Sequence, residues 1–411
     1  MPASHHESPS SETSRPLPLM GLARVMRMAF DEIDLQPLAS ELIARASGAE
    51  GDADALMDLS TVLQLRGLKD LGLETQAHAL RIKRLYEQPA RMGPAIRLLA
   101  LMTPGDLMAN APLPFLFEDS DIALSMLYLP ADEAIPTELP PHDVAIVAVS
   151  DSSTTRDLLA RLAEAIPSWP RPVVNRPDRI ALTSRIAAHE LMAGAPGIEM
   201  PATALVSRED LKMLSTARAD LADVLLAGAF PLIVRPVDSH AGHGLAKIDH
   251  AAELPAYLDE NAEDAFFISR FVDYRSADGL YRKYRVVLVD GIAYAGHMGV
   301  SAHWMIHYLN AGMTDSAAKR AEEEAFMRDF EHGFAQRHAR ALDAIGERFG
   351  LEYLVVDCAE TAGGDLLVFE VDPGAVVHTM DPVDLFPYKP AHMRKVFAAF
   401  RAMLARAIET A

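Results

Sequence analysis

The sequence predicts an α/β (α+β) protein: a helical N-terminal segment, a parallel α/β domain, and a larger C-terminal domain built on hairpins. Three observations carry this. Apolar residues recur at helical spacing before residue 88. Continuous apolar runs then alternate with a helical stretch up to residue 166, as in strands buried on both faces. Beyond residue 230, β-branched runs flank the turn signals Asp290-Gly291 and Gly363-Gly364. A chain of 411 residues has room for two to four domains, with ample core.

Residues 1–18 are rich in Ser, Pro, His and Glu, lack the apolar run of a secretion signal, and read as a disordered tail. From 19 to 92 the pattern is helical. Leu38, Leu42 and Ile43 mark one stretch, and Gly48 to Asp52 a break. Ala55, Leu56, Leu59 and Leu63 mark a second helix, and Thr75 through Tyr86 a third. This last pair weakly resembles a tetratricopeptide hairpin. One such unit cannot bury its own apolar face, so a hairpin docked on other structure is the simpler reading.

Residues 93–174 form the expected α/β domain. Its apolar runs are Ala95 to Leu101, Ile122 to Leu129 and Val144 to Val149, with a helix from Thr155 to Ile166. Asp106, Asn110, Asp151 and Ser152 lie just past strand ends, where open α/β sheets place ligands. The stretch Ser150 to Thr154 fits a helix cap equally well. The Pro-rich run Trp169 to Pro177 leads into a domain spanning 175–411.

The strongest chemical signal lies near the end. Leu351 to Asp357 and Leu366 to Pro373 are apolar runs carrying Asp357, Glu370 and Asp372. Glu370 and Asp372 are two apart and share a face of the sheet. Unpaired carboxylates there repel one another and resist desolvation, and a dication relieves that conflict. Hard oxygen donors with no His or Cys favour Mg²⁺ shared with phosphates. The bland alternative is a solvated edge-strand face.

Upstream, the strand Phe230 to Pro236 ends on Arg235 and runs into Asp238-Ser239-His240-Ala241-Gly242-His243-Gly244. Glycines there let backbone N–H groups approach an anion. Alone, this is a hairpin turn; with Arg235 before it and three acids after it, it reads as a phosphate site. The strand Ala265 to Val272, ending in Arg270, Phe271 and Val272, offers backbone to an adenine edge or is ordinary core. In the hairpin Tyr281 to Gly296, Arg285 is suited to fork onto a phosphate. Lys283 and Arg282 read as surface charges, and Glu322-Glu323-Glu324 as part of a solvated helix.

These features, in this order, resemble the ATP-grasp superfamily, nearest to RimK-type amino-acid ligases and glutathione synthetases, over about residues 175–405. They include the Asn175-x-Pro177 opening, the helix from about Ala335 to Phe349 and the Asp…Glu-x-Asp finish. The resemblance implies an ATP-grasp fold and an ATP-dependent carboxylate–amine ligase working through an acyl-phosphate. It implies ATP and two Mg²⁺ ions (Mn²⁺ as a substitute), held by Asp357 with Glu370 and by Glu370 with Asp372. Arg185, Arg235 and Ser239 would hold phosphates, Gly242 and Gly244 would shape a lid, and Arg270 to Val272 would line the nucleotide. Arg285 would stabilise the acyl-phosphate. His307 or Asn310 would stand where the family has an Asn before its Gly-Gly pair. This chain departs from the family with arginines for lysines at 185 and 235, and with Asp372 for Asn.

The implied partners are a small carboxylate and an amine, with a peptide or protein on the N-terminal helices and homo-oligomers also in keeping. The rival reading is a non-catalytic nucleotide-binding module; a peptide-modifying ligase differs only in substrate. A formal charge of −20 argues against nucleic acid as a partner. The single cysteine, Cys358, allows no internal disulfide and reads as core. No apolar run approaches the roughly 18 residues of a membrane span, so the expected place is the cytoplasm.

Overall fold

The computed structural model describes residues 18–48, 51–239, 242–307 and 310–410. The expected tail, apart from Pro18, lies outside these, as do His240 and Ala241 of the glycine loop. The chain divides into two compact units, 1–86 and 87–411.

Among the described residues the first unit holds four helices: Leu22–Phe30, Gln36–Ala46, Ala53–Leu65 and Lys69–Ile82. Val25, Leu38, Leu42, Ala55, Leu59 and Val62 form its core. Asp52 caps the third helix, accepting from Ala55 N at 3.0 Å. The third and fourth helices cross closely because residue 72 is glycine; a Cβ there would stand 2.6 Å from the Gln64 side chain. Buried Asp58 accepts from Met20 N (2.7 Å) and Gly21 N (2.9 Å), tying down the start of the first helix. The last helix stops at Ile82 rather than running to Tyr86. Lys83 turns extended and its Nζ pairs with Asp54 at 2.7 Å, and Tyr86 belongs to strand β1 (Leu85–Gln88).

The second unit begins with a parallel sheet. β2 (Ile96–Met102) lies between β3 (Ile122–Tyr128) and β4 (Val144–Val147), and β4 pairs β5 (Val173–Val174). All four strands run the same way, as continuous apolar runs buried on both faces predict. The helix Arg156–Ala165 follows β4.

Asn175 joins this sheet to the rest. It is buried with φ +55°, and its side chain acts as a strand partner. Its Nδ2 donates to Tyr353 O and its Oδ1 accepts from Tyr353 N, both at 2.9 Å.

Two further sheets follow. The smaller is antiparallel, ordered β7 (Thr203–Ser207), β10 (Ala265–Arg270), β8 (Leu232–Pro236), β9 (Ala246–Ile248). The larger is ordered β12 (Ile292–Ser301), β11 (Tyr281–Val289), β13 (Tyr353–Glu360), β14 (Leu366–Asp372), β6 (Ile198–Glu199). β11 and β12 meet at Asp290-Gly291, both at positive φ, which a tight two-residue turn requires. Among the described residues no helix is long and apolar enough to cross a membrane.

The Glu322–Glu324 stretch differs from the solvated helix expected. It lies in the helix Ala317–Arg328, but Glu323 is fully buried. Glu323 accepts from Met298 N (3.1 Å) and Tyr388 Oη (2.7 Å), and pairs with Lys389 Nζ at 3.2 Å. Lys389 also pairs with Asp381 at 3.1 Å. A buried lysine between two carboxylates pins this helix to the larger sheet and to the start of the helix Lys389–Glu409.

Candidate functional site

Strand register builds the site. Arg285 of β11 stands opposite His297 of β12 and Asp357 of β13, and Asp357 stands opposite Glu370 of β14. Directly opposed residues share a face, so His297, Arg285, Asp357 and Glu370 form one polar row across four strands. Lys283 and Asp372, each two residues along its strand, share that face. The register shifts beside Arg285 and beside Asp357, and such bulges re-aim side chains.

Asp357 is not an unpaired acid. Arg285 grips it with Nε to Oδ1 at 2.7 Å and Nη2 to Oδ2 at 2.9 Å, and Lys283 Nζ reaches Oδ2 at 2.8 Å. The carboxylate is only 5% exposed. Burial disfavours its charge, but Arg285 and Lys283 outweigh burial and hold its pKa far below the usual range. Arg285 Nη1 also donates to Val376 O at 2.7 Å. Lys283 is therefore part of the site rather than a surface charge. Arg282 is also occupied, by Asp278 (2.6 Å) and Glu322, on the opposite face. That opposite face holds a cavity of about 370 Å³ lined by Tyr274, Asp278, Arg282, Tyr284 and Glu360. Its charged groups pair with one another or with neighbouring side chains.

Glu370 is bracketed by cations from other elements. Arg185 opens the helix Arg185–Met192 and places Nη2 2.8 Å from Glu370 Oε1. Burial opposes Glu370's charge, but Arg185 and Arg235 prevail and lower its pKa. Asp372 goes the other way: burial and the Glu370 carboxylate raise its pKa, against the Gly374 N–H that donates to Oδ1 at 2.6 Å. Burial and the nearby Arg185 pull Arg235 down to about 10.

The glycine loop is shaped from both ends. Arg235 Nε donates to Ser239 Oγ at 3.3 Å, and Ser239 Oγ donates to Pro236 O at 2.9 Å. Gly242 (φ +76°) and Gly244 (φ +62°) take conformations that glycine alone adopts freely. Tyr257 Oη holds Gly244 O at 2.8 Å. Lys247, beyond the loop, lies 5.1 Å over the Phe271 ring. Phe271 packs edge-on against Trp304, and Arg270 pairs with Glu199 at 2.7 Å. Val272 joins the cluster around Tyr274 and Phe386.

The two alternatives at 307 and 310 separate. His307 is half-buried, and burial with Lys283 and Arg285 lowers its pKa, so it lies within reach of the row's charge. Asn310 is exposed and turned to its own loop, accepting from His307 N at 2.8 Å and donating to Met305 O at 3.4 Å. His297 is held neutral by burial and by Arg285 and Lys389.

The site's acids differ in how well they suit a dication. Glu370 and Asp372 are hard, adjacent and mutually repelling, and they fit one. Asp357 does not fit as it stands, because both its oxygens are in ion pairs. Among the described residues no group of three or more His, Cys, Asp or Glu side chains is gathered for a metal ion. The premise of three unpaired acids is thus corrected: four basic side chains, from β8, β11 and the helix at Arg185, already face them.

Sequence reasoning missed Lys283. Lys283 had a signal, its two-residue spacing from Arg285.

No protein-family model matches the chain. Among solved structures it is similar to a RimK-domain ATP-grasp protein from Sphaerobacter thermophilus, with 17% identity and TM-score 0.40, over 76% of this chain and 99% of that one. It is also similar to D-alanine–D-alanine ligase from Bacillus anthracis complexed with ATP (13%, TM-score 0.44, 77% and 99%). The ligase from Coxiella burnetii gives 11% and TM-score 0.46, over 77% and 97%.

Proposed function

We propose that the protein is a cytoplasmic ATP-dependent carboxylate–amine ligase that works through an acyl-phosphate. The observation that carries this reading is the convergence on one face of Arg185, Arg235, Lys283 and Arg285 with Glu370 and Asp372. Four cations suit a polyphosphate, and two adjacent hard acids suit the dication that accompanies it.

Arg185 and Arg235 hold the phosphates, and the Gly242–Gly244 loop closes over them to exclude water. A substrate carboxylate oxygen bonds to the γ-phosphorus, and the bond to the β-γ bridging oxygen breaks, giving ADP and an acyl-phosphate. Arg285, fixed by Asp357, neutralises charge on that intermediate. An amine then bonds to the acyl carbon, phosphate leaves, and the amine's proton passes to a base. Glu370 and Asp372 would hold Mg²⁺ or Mn²⁺, which would neutralise negative charge on the phosphates when bound. A second ion on Asp357 would have to displace Lys283 or Arg285.

That occupancy of Asp357 also favours the second reading, a nucleotide-binding module without turnover, since Asp357 is balanced without metal. The test is ADP release from Mg·ATP with amino acids, small carboxylates and peptides, beside a Glu370→Gln control. Release that needs one sub-pool and vanishes in the variant supports the ligase. Saturable ATP binding with no release under any acceptor supports the module.

A further inference from the structure

The fourth helix of the first unit has two apolar faces, and the chain covers one. Gly72, Gln76, Ala79 and Leu80 are buried, and this face lies on the third helix. The core cluster around Val25, Leu42 and Val62 draws on the first three helices and takes no residue from the fourth. A second line runs along the fourth helix through Leu71, Thr75, His78 and Ile82, with Leu68 at its N-cap. From Leu68 the steps are three, four, three and four residues, the spacing of a helix seam. Leu68 is 46% exposed, Leu71 50% and Ile82 45%. Single exposed apolar side chains are ordinary, but three on one line of one helix mark a contact surface.

The flanks of the line define its partner. In heptad terms the line takes the two seam positions, and Glu74 and Arg81, both exposed, take the flank on one side. The other flank is Gly72 and Ala79, buried and uncharged. A second copy laid antiparallel satisfies the line with itself. Leu71 of each copy then meets Ile82 of the other, and Thr75 meets His78. In that register Glu74 of each copy faces Arg81 of the other, so two-fold symmetry makes two opposite-charge pairs. A parallel pair would set Glu74 against the uncharged flank instead. The charges thus suit an antiparallel second copy.

We propose that the exposed line on the helix Lys69–Ile82 is a self-association surface, on which two copies of this chain pair antiparallel. The third and fourth helices of both copies then build a four-helix bundle. The helix has 14 residues and is about 21 Å long, so the interface lies at the low end of specific contacts, below roughly 1,200 Å², and the pair is a weak one. This association does not rest on the ligase reading.

Analytical ultracentrifugation of the full chain tests it, from about 1 to 200 μM protein, the range a weak pair spans. The mass should rise with concentration from one chain to two. Leu71→Glu puts a charge in the seam and should weaken association about 10-fold or more. It should leave the melting temperature in place, because Leu71 is 50% exposed. Arg81→Glu turns both charge pairs from attraction to repulsion and should weaken association about 10-fold. Adding Glu74→Arg to it restores opposite charges and should return the original association, which keeps the test decisive if the Leu71 variant misfolds. A chain that stays single at every concentration overturns the proposal and leaves the line to another protein. Association that Leu71→Glu does not weaken overturns it too, by placing the contact elsewhere. A doubly reversed variant as weak as Arg81→Glu alone refutes the antiparallel pairing.

Discussion

Arg285 and Asp357 lock each other across β11 and β13, two nitrogens of one on two oxygens of the other, with both side chains largely buried. The pair makes Asp357 an anchor that aims Arg285. Removing one partner of such a buried pair costs about 3–5 kcal/mol, because the other charge is stranded. Asp357→Asn should therefore lower stability by that order in urea unfolding. A change under about 1 kcal/mol would mean the pair carries no such weight.

Glu370 and Asp372, rather than Asp357, are expected to set divalent affinity. In Mn²⁺ titrations followed by electron paramagnetic resonance, Glu370→Gln and Asp372→Asn should each weaken binding about 10-fold or more. Neither should unfold the protein, since Gln at 370 keeps an oxygen for Arg185 and Asp372 is relieved by losing its charge. Unchanged Mn²⁺ affinity in both variants would place the ion elsewhere.

Arg235 is half-buried and close to a second guanidinium, an arrangement that favours an anion between them. Arg235→Ala should raise the dissociation constant for ATP about 10-fold or more, the worth of a charge-assisted contact. Arg285→Ala should lower turnover more than nucleotide affinity; equal losses in both would refute its role on the acyl-phosphate.

Much of this architecture was legible in advance. Glu370 and Asp372 share a face because strand side chains alternate, and Asp290-Gly291 marks its own turn. The parallel sheet follows from uninterrupted apolar runs. Lys283 and Arg285 meet Asp357 only through the β11–β13 register, and a one-residue slip would have turned them away. Glu323 sits between the partly exposed Glu322 and exposed Glu324, so three adjacent glutamates look alike until the helix is docked. Ser150 to Thr154 read as a helix cap, yet the helix starts at Thr155 with no side-chain cap, because Thr155 Oγ1 turns back to Ser150 O instead.

The burial of Glu323 gives a sharp contrast between neighbours. Glu323→Ala strips the acceptor from Met298 N and Tyr388 Oη and removes one of the two carboxylates that pair with Lys389. The cost should be about 3–5 kcal/mol. Glu324→Ala, on the exposed side, should stay within about 0.5 kcal/mol. Equal melting temperatures for the two variants would refute the docking of this helix.

Acid should unfold the second unit partly through Glu360. Burial raises its pKa, but His338 (Nε2 to Oε1, 2.8 Å) and Arg337 (2.9 Å) outweigh burial and bring it down to about 2. A carboxylate depressed in the folded state adds stability above its unfolded pKa and loses it as pH falls toward the folded value. The contribution should thus be full at pH 6 and fade between about 4.5 and 2. Glu360→Gln should lower stability at pH 6 and flatten its slope through that window, with the two proteins converging near pH 2. Parallel stability curves from pH 6 to 2 would show that Glu360 is not held ionised by His338 and Arg337.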